Sequence, residues 1–166
     1  LRAHQCTCLI RNPQLLEQRR SEGRTEQPAA VVVSRSPDFS ITWRFFDQPL
    51  QRWLLAPEPV DQGFDRWFPL APTWPERLEA LGAAGIQRLV LLGGARLSAD
   101  LLQADCVDAL QLTLVPQLLG GCFSWLPCTD VPLPAALAQP GAWQSDGLED
   151  LGDGELLVRY QRIRPG

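Results

Sequence analysis

Methionine is absent from this 166-residue sequence, and histidine occurs once, at His4. A lone histidine excludes, within this sequence, a histidine-based triad and a site with several histidine ligands. With Leu1 in front, the missing methionine points to a removed front segment or to methionines lost from the sequence. The five cysteines (Cys6, Cys8, Cys106, Cys122, Cys128) are odd in number, and no pair has the C-x-x-C spacing of zinc or redox sites. They read as reduced, mostly buried thiols of a cytoplasmic protein. No apolar run approaches a membrane span, and no signal-peptide pattern opens the chain. Positive charge is scarce as well. The net charge is -4, and the one basic cluster, Arg19-Arg20, lies among Glu17 and Glu22. This balance argues against nucleic acid as a partner. Repeats, long linkers, a G-x-G-x-x-G fingerprint and a P-loop are all missing.

What remains suits one domain, residues 1–166, able to bury a core without staples; 45% of it is hydrophobic and 20% charged. Cys6–Ile10 reads as a short buried strand. Asn12 as a cap and Pro13 at the first position begin a helix with an apolar stripe at Leu15 and Leu16, ended by Gly23. Ala29–Val33 is a second strand and "RWLLAP" a third, followed by a polar, aromatic loop with Phe64, Trp67 and Phe68. "TWPERLEALGAAGI" is a helix with a Thr73/Glu76 capping box and with Leu78 and Leu81 on one face. "QRLVLL" is a fourth strand, Gly93-Gly94 a turn, and "ARLSADLLQADC" starts a short helix. "ALQLTLVP" alternates as strand five. A loop-rich, proline-rich stretch precedes a closing hairpin that turns at Gly152-Asp153-Gly154. Short apolar strands alternating with helices indicate an α/β fold with a mostly parallel sheet flanked by helices and a C-terminal antiparallel hairpin. Ligands in such sheets bind beyond the carboxyl ends of the strands.

Two strand ends carry candidate chemistry. At Gly93-Gly94 the absence of a Cβ lets backbone N–H groups approach a phosphate, and the helix opening at Ala95-Arg96 adds partial positive charge; a tight turn alone explains the glycines equally well. At Ser34-Arg35-Ser36 two hydroxyls flank a guanidinium suited to a phosphate monoester; an ordinary polar turn is the competing explanation. A pyrophosphate cradle together with a second phosphate clamp is what NADPH, rather than NADH, requires. The acidic residues Asp146, Glu149, Asp150, Asp153 and Glu155 read as a solvated hairpin surface, with no metal site expected. The tryptophans read as core or edge fillers, one of which could floor a ring-binding pocket.

"GIQRLVLLGGARLSADLLQADCVDALQLTLVPQLLGG" resembles the reductase domain of riboflavin biosynthesis, the C-terminal domain family of bifunctional deaminase/reductases, with a dihydrofolate-reductase-like fold. Gly93-Gly94, Val107-Asp108-Ala109-Leu110, Pro116 and Leu118-Leu119-Gly120 fall in the family's order. The front, "LRAHQCTCLIRNPQLLEQ", is similar too. The resemblance implies an NADPH-dependent reductase of the 5-amino-6-(5-phosphoribosylamino)uracil type, acting on the ribosyl group of a phosphorylated pyrimidine, and a homodimer. It also implies that Gly93-Gly94 holds the pyrophosphate while Ser34-Arg35-Ser36 meets the 2′-phosphate. The family's first strand would precede Leu1. Leu92 stands where the family has glutamate, and Arg11-Asn12-Pro13-Gln14 where it has Gly-x-x-Thr. Two alternatives stay open: another pterin or pyrimidine reductase of this fold, and a divergent, inactive dimerising or regulatory domain.

Overall fold

The computed structural model describes residues 5–36, 38–60, 62–92, 94–118, 126 and 132–164. They group into two compact units. The first runs to Pro72 and includes Glu76–Gly85; the second comprises Thr73–Pro75 and the chain from Ile86 onward.

The first unit is built on a parallel sheet of β1 (Ala30–Val33), β2 (Arg52–Ala56) and β3 (Arg66–Pro69), in that order. After Arg52 the middle strand is an apolar run, and Trp53, Leu54, Leu55 and Ala56 are all buried. A strand covered on both faces has no use for alternation. Helix α1 (Pro13–Ser21) starts as its sequence dictates: the Asn12 side chain accepts from the N–H groups of Gln14 and Leu15, and proline occupies the first helical position. Gly23 follows the helix at a φ of +67°, and its N–H donates to the Arg20 carbonyl. The expected apolar stripe is not buried, however, and Leu15 is exposed. Helix α2 (Trp74–Ala83) begins one residue after Thr73 and buries Leu81.

Three sequence expectations are corrected. Cys6–Ile10 is not a strand. Its backbone is paired instead by side-chain amides: Gln48 accepts from the Thr7 N–H and donates to the Thr7 carbonyl, both at 2.8 Å, and Gln27 does the same at Ile10. The aromatic loop after β2 contains β3, which pairs in register from Trp53↔Arg66 to Ala56↔Pro69. Asp65 closes the head of that ladder, its carboxylate accepting from the Arg52 N–H at 2.6 Å while its own N–H donates to the Arg52 carbonyl. Proline is tolerated as the last residue of an edge strand. "QRLVLL" forms no strand: among the described residues nothing pairs with it, and Val90 and Leu92 are 77% and 65% exposed. β-rich composition supplies the tendency, but only a neighbouring ladder makes a strand.

The second unit holds helix α3 (Ala95–Gln103), which buries Ala99, Leu101 and Leu102. It also holds an antiparallel sheet of β4 (Ala109–Leu114), β6 (Glu155–Arg162) and β5 (Trp143–Gly152), in the order β4-β6-β5. The hairpin does form, but in a sheet with β4 rather than as an edge of the parallel sheet. Its turn residues Asp153 and Gly154 have φ of +52° and +80°, the pair of positive values that a two-residue turn of matching twist needs.

Arg162 ties this unit together. The guanidinium, buried at the end of β6, forks onto both carboxylate oxygens of Asp105 at 3.0 Å and donates to the Ala142 carbonyl. Arg164 adds bonds to the Asp108 carboxylate and the Asp105 carbonyl, both at 2.7 Å. The loop after α3 is thereby pinned to the last strand.

Candidate functional site at the strand ends

Ser34-Arg35-Ser36 lies at the carboxyl end of β1. The Ser34 N–H extends the ladder to the Leu55 carbonyl. The Ser34 hydroxyl donates to the Ser36 carbonyl and accepts from the Ser36 N–H, and the Ser36 hydroxyl accepts from the Asp38 N–H at 3.4 Å. Both hydroxyls therefore shape the turn, as the bland explanation requires. Arg35 is different. It is exposed, and among the described residues no hydrogen bond or ion pair engages it. The serine turn presents an uncompensated guanidinium at the end of the sheet where ligands collect.

Gly93 lies outside the described residues. Gly94 caps α3 with φ +98° and ψ +91°, without a side-chain cap bond. Its carbonyl accepts from the Ser98 N–H, so the N–H groups of Ala95, Arg96 and Leu97 have no partner within the helix. Arg96 is exposed in that first turn, next to the positive end of the helix dipole. Ser34–Ser36 belongs to the first unit and Gly94–Arg96 to the second.

The family-motif positions have structural uses. Asn12 is the cap of α1, with Gln14 donating to it, while Arg11 and Leu92 are exposed. In the acidic hairpin, Glu149 pairs with Arg159 at 2.8 Å and the Asp150 carboxylate accepts from the Gly152 N–H. Cys6 and Cys106 are half-buried and Cys8 is exposed, so the expectation of mostly buried thiols fails for them; all three are free. His4, Cys122, Cys128 and Trp125 lie outside the described residues. Trp53 is buried and Trp43 and Trp143 are half-buried, whereas Trp67 in β3 is exposed.

The strand that carries Trp67 and the Asp105–Arg162 pair escaped the sequence reading. Trp67 was hidden because its strand was read as a loop. The Asp105–Arg162 pair joins residues 57 positions apart, which spacing alone cannot reveal. Arg162 holds the Asp105 carboxyl below the usual carboxylate range by hydrogen bonding to its charged form. Burial pushes the neighbouring Cys106 thiol up.

Residues 5–154 match the RibD C-terminal domain. The riboflavin biosynthesis protein RibD of Haemophilus influenzae is 31% identical over 140 residues, which cover 81% of this chain and 37% of that protein. The 2,5-diamino-6-ribosylamino-4(3H)-pyrimidinone 5′-phosphate reductase of Archaeoglobus fulgidus is 25% identical over 122 residues, covering 68% of this chain and 56% of that one. The chain thus spans about a third to a half of these curated relatives. In fold it is similar to the crystal structure of a pyrimidine reductase-like protein from Corynebacterium diphtheriae, with a TM-score of 0.79 at 19% identity over 99% of this chain and 73% of that one. The match across nearly all of the described sequence places the chain in the RibD C-terminal domain family.

Proposed function

We propose that the chain is an NADPH-dependent reductase of riboflavin biosynthesis, acting on a phosphorylated ribosylaminopyrimidine of the 5-amino-6-(5-phosphoribosylamino)uracil type. The family and the names of both curated relatives support a pyrimidine reductase of this pathway. The observation that carries the cofactor assignment is Arg35, exposed at the carboxyl end of β1 and without a hydrogen bond or ion pair among the described residues. An arginine fork there meets the dianionic 2′-phosphate that distinguishes NADPH from NADH. The chain contains no lysine, so side-chain recognition of phosphate falls to arginine. The open N–H groups at the start of α3, with Arg96 beside them, suit the pyrophosphate. When bound, the cofactor supplies the hydride; the protein's part is to grip its phosphates and orient it. The same reading takes the two units as parts of one reductase domain, active in the cytoplasm as a homodimer.

The test is a calorimetric titration of wild type and Arg35→Ala with NADPH and NADH. The expected outcome is a loss confined to NADPH of roughly 1.5–3 kcal/mol, as for a hydrogen bond to a charged group. Equal weakening of both nucleotides would refute the clamp. Failure of the wild type to bind NADPH at all would remove the reductase reading with it.

A further inference from the structure

The two serines that flank Arg35 differ in what their hydroxyls have left to donate. Ser34 is half-buried and Ser36 is exposed. The Ser34 N–H donates to the Leu55 carbonyl at 3.0 Å, just past the last β1–β2 register pair, Val33↔Leu55. From that anchored position the Ser34 hydroxyl spans Arg35 and closes on both backbone groups of Ser36. It donates to the Ser36 carbonyl and accepts from the Ser36 N–H at 3.2 Å. The Ser36 hydroxyl only accepts, from the Asp38 N–H at 3.4 Å, and among the described residues no acceptor is bonded to its proton.

A hydroxyl has one proton to donate and two lone pairs to accept with. A phosphate monoester above its second pKa of about 6 is a dianion, and its oxygens only accept. Ser34 can bond such a group only by surrendering the Ser36 carbonyl, which opens the turn. Ser36 can bond it and keep the bond from Asp38.

We infer that the two serines divide the work. Ser36 donates its hydroxyl proton to the 2′-phosphate beside Arg35. Ser34 is a positioning residue: it touches no ligand and holds the Arg35 backbone in the turn. This rests on the reading that the chain binds NADPH through Arg35. The family resemblance sets all three residues on the phosphate, and the hydrogen bonds take Ser34 off it. An arginine on an open loop has backbone as well as side-chain freedom to lose on binding, and the Ser34 closure removes the backbone part beforehand.

The test is calorimetry of the full chain with NADPH and NADH at about pH 8, where the phosphate is a dianion, arranged as double-mutant cycles with Arg35→Ala. Ser34→Ala is expected to weaken NADPH about fivefold, as for one neutral hydrogen bond. It should leave NADH unchanged and add nothing once Arg35 is alanine. Ser36→Ala is expected to weaken NADPH about tenfold, as for a bond to a charged group, and to cost affinity in the Arg35→Ala background too. Ser34→Thr keeps the hydroxyl and should bind as the wild type does. A Ser34→Ala loss that persists without Arg35 makes Ser34 a direct contact and overturns the division. An equal loss for NADH, or an unchanged Ser36→Ala, overturns it as well. If the wild type binds NADPH and Ser34→Ala binds it as tightly, only the division falls; if the wild type does not bind NADPH, the cofactor reading falls with it. Should Ser34→Ala not fold, hydrogen exchange of the wild type decides. The Ser36 amide keeps its bond to the Ser34 hydroxyl in the complex, so its exchange should not accelerate when NADPH saturates the protein, and faster exchange overturns the positioning role.

Discussion

Among individual residues, Gly94 shows how a functional motif and a conformational need can coincide. A Cβ built there would meet only the Leu97 Cβ, at 3.8 Å, which is ordinary contact. Space is therefore not the constraint. The backbone is, because φ of +98° lies where side-chain-bearing residues are strained. Gly94→Ala is expected to cost about 2 kcal/mol in urea unfolding, with or without a cofactor present. An unchanged midpoint would show that the turn relaxes freely. For this reason the sharper probe of phosphate recognition is Arg35, whose side chain makes no hydrogen bond or ion pair among the described residues. That "GG" ends an apolar run was plain in the sequence; which of its two possible reasons applies was not, since φ is a property of the folded backbone.

At the scale of elements, the segment Thr7–Ile10 shows what composition omits. With Cys6 it reads as a strand, Cys6–Ile10, and its backbone groups at Thr7 and Ile10 are indeed paired. The partners are two buried glutamine side chains, Gln48 and Gln27, rather than a strand. Gln48 is itself held in place, since its carbonyl accepts from Arg52 at 2.6 Å. Gln48→Leu leaves the Thr7 N–H and carbonyl without partners and should destabilise the protein by about 2 kcal/mol. Hydrogen exchange at the Thr7 amide should accelerate well beyond that at Ile10. Equal acceleration at both would mean that the two amide clamps act as one unit rather than separately. The same logic explains the misread "QRLVLL" and the overlooked β3. Local propensity is similar in the two stretches, and the difference lies in whether, among the described residues, a strand of the same unit pairs with each.

For the whole molecule, acid stability should be governed in part by one ion pair, between the buried Arg162 and the half-buried Asp105. Asp105 sits at φ +48°, a left-handed conformation that aspartate tolerates better than most residues, and receives the fork of Arg162. Its carboxyl is held below the ordinary carboxylate range in the folded state. A depressed folded-state value means that the stabilisation is fully present above the unfolded value, about 3.9, and is lost as pH falls through the folded value. Asp105→Asn should cost about 3 kcal/mol near neutrality, because Arg162 stays buried without its counter-charge. Urea unfolding of wild type and variant between about pH 7 and about pH 3 should show this gap narrowing toward acid. A gap independent of pH would mean that packing, not charge, connects the loop to β6.

The sequence by itself determined what depends on near neighbours along the chain. Asn12-Pro13 had to open α1, Asp153-Gly154 had to turn the hairpin, and the unbroken apolar run of β2 had to be buried on both faces. The ordered motifs around Gly93-Gly94 were sufficient to indicate the family. Only the tertiary structure decided which extended segments find a ladder and which hydroxyls are consumed by their own turn. It alone joined Asp105 to Arg162. The ladders and the Asp105–Arg162 pair are contacts between residues distant in sequence, and such contacts exist only once the chain has closed the loops between them.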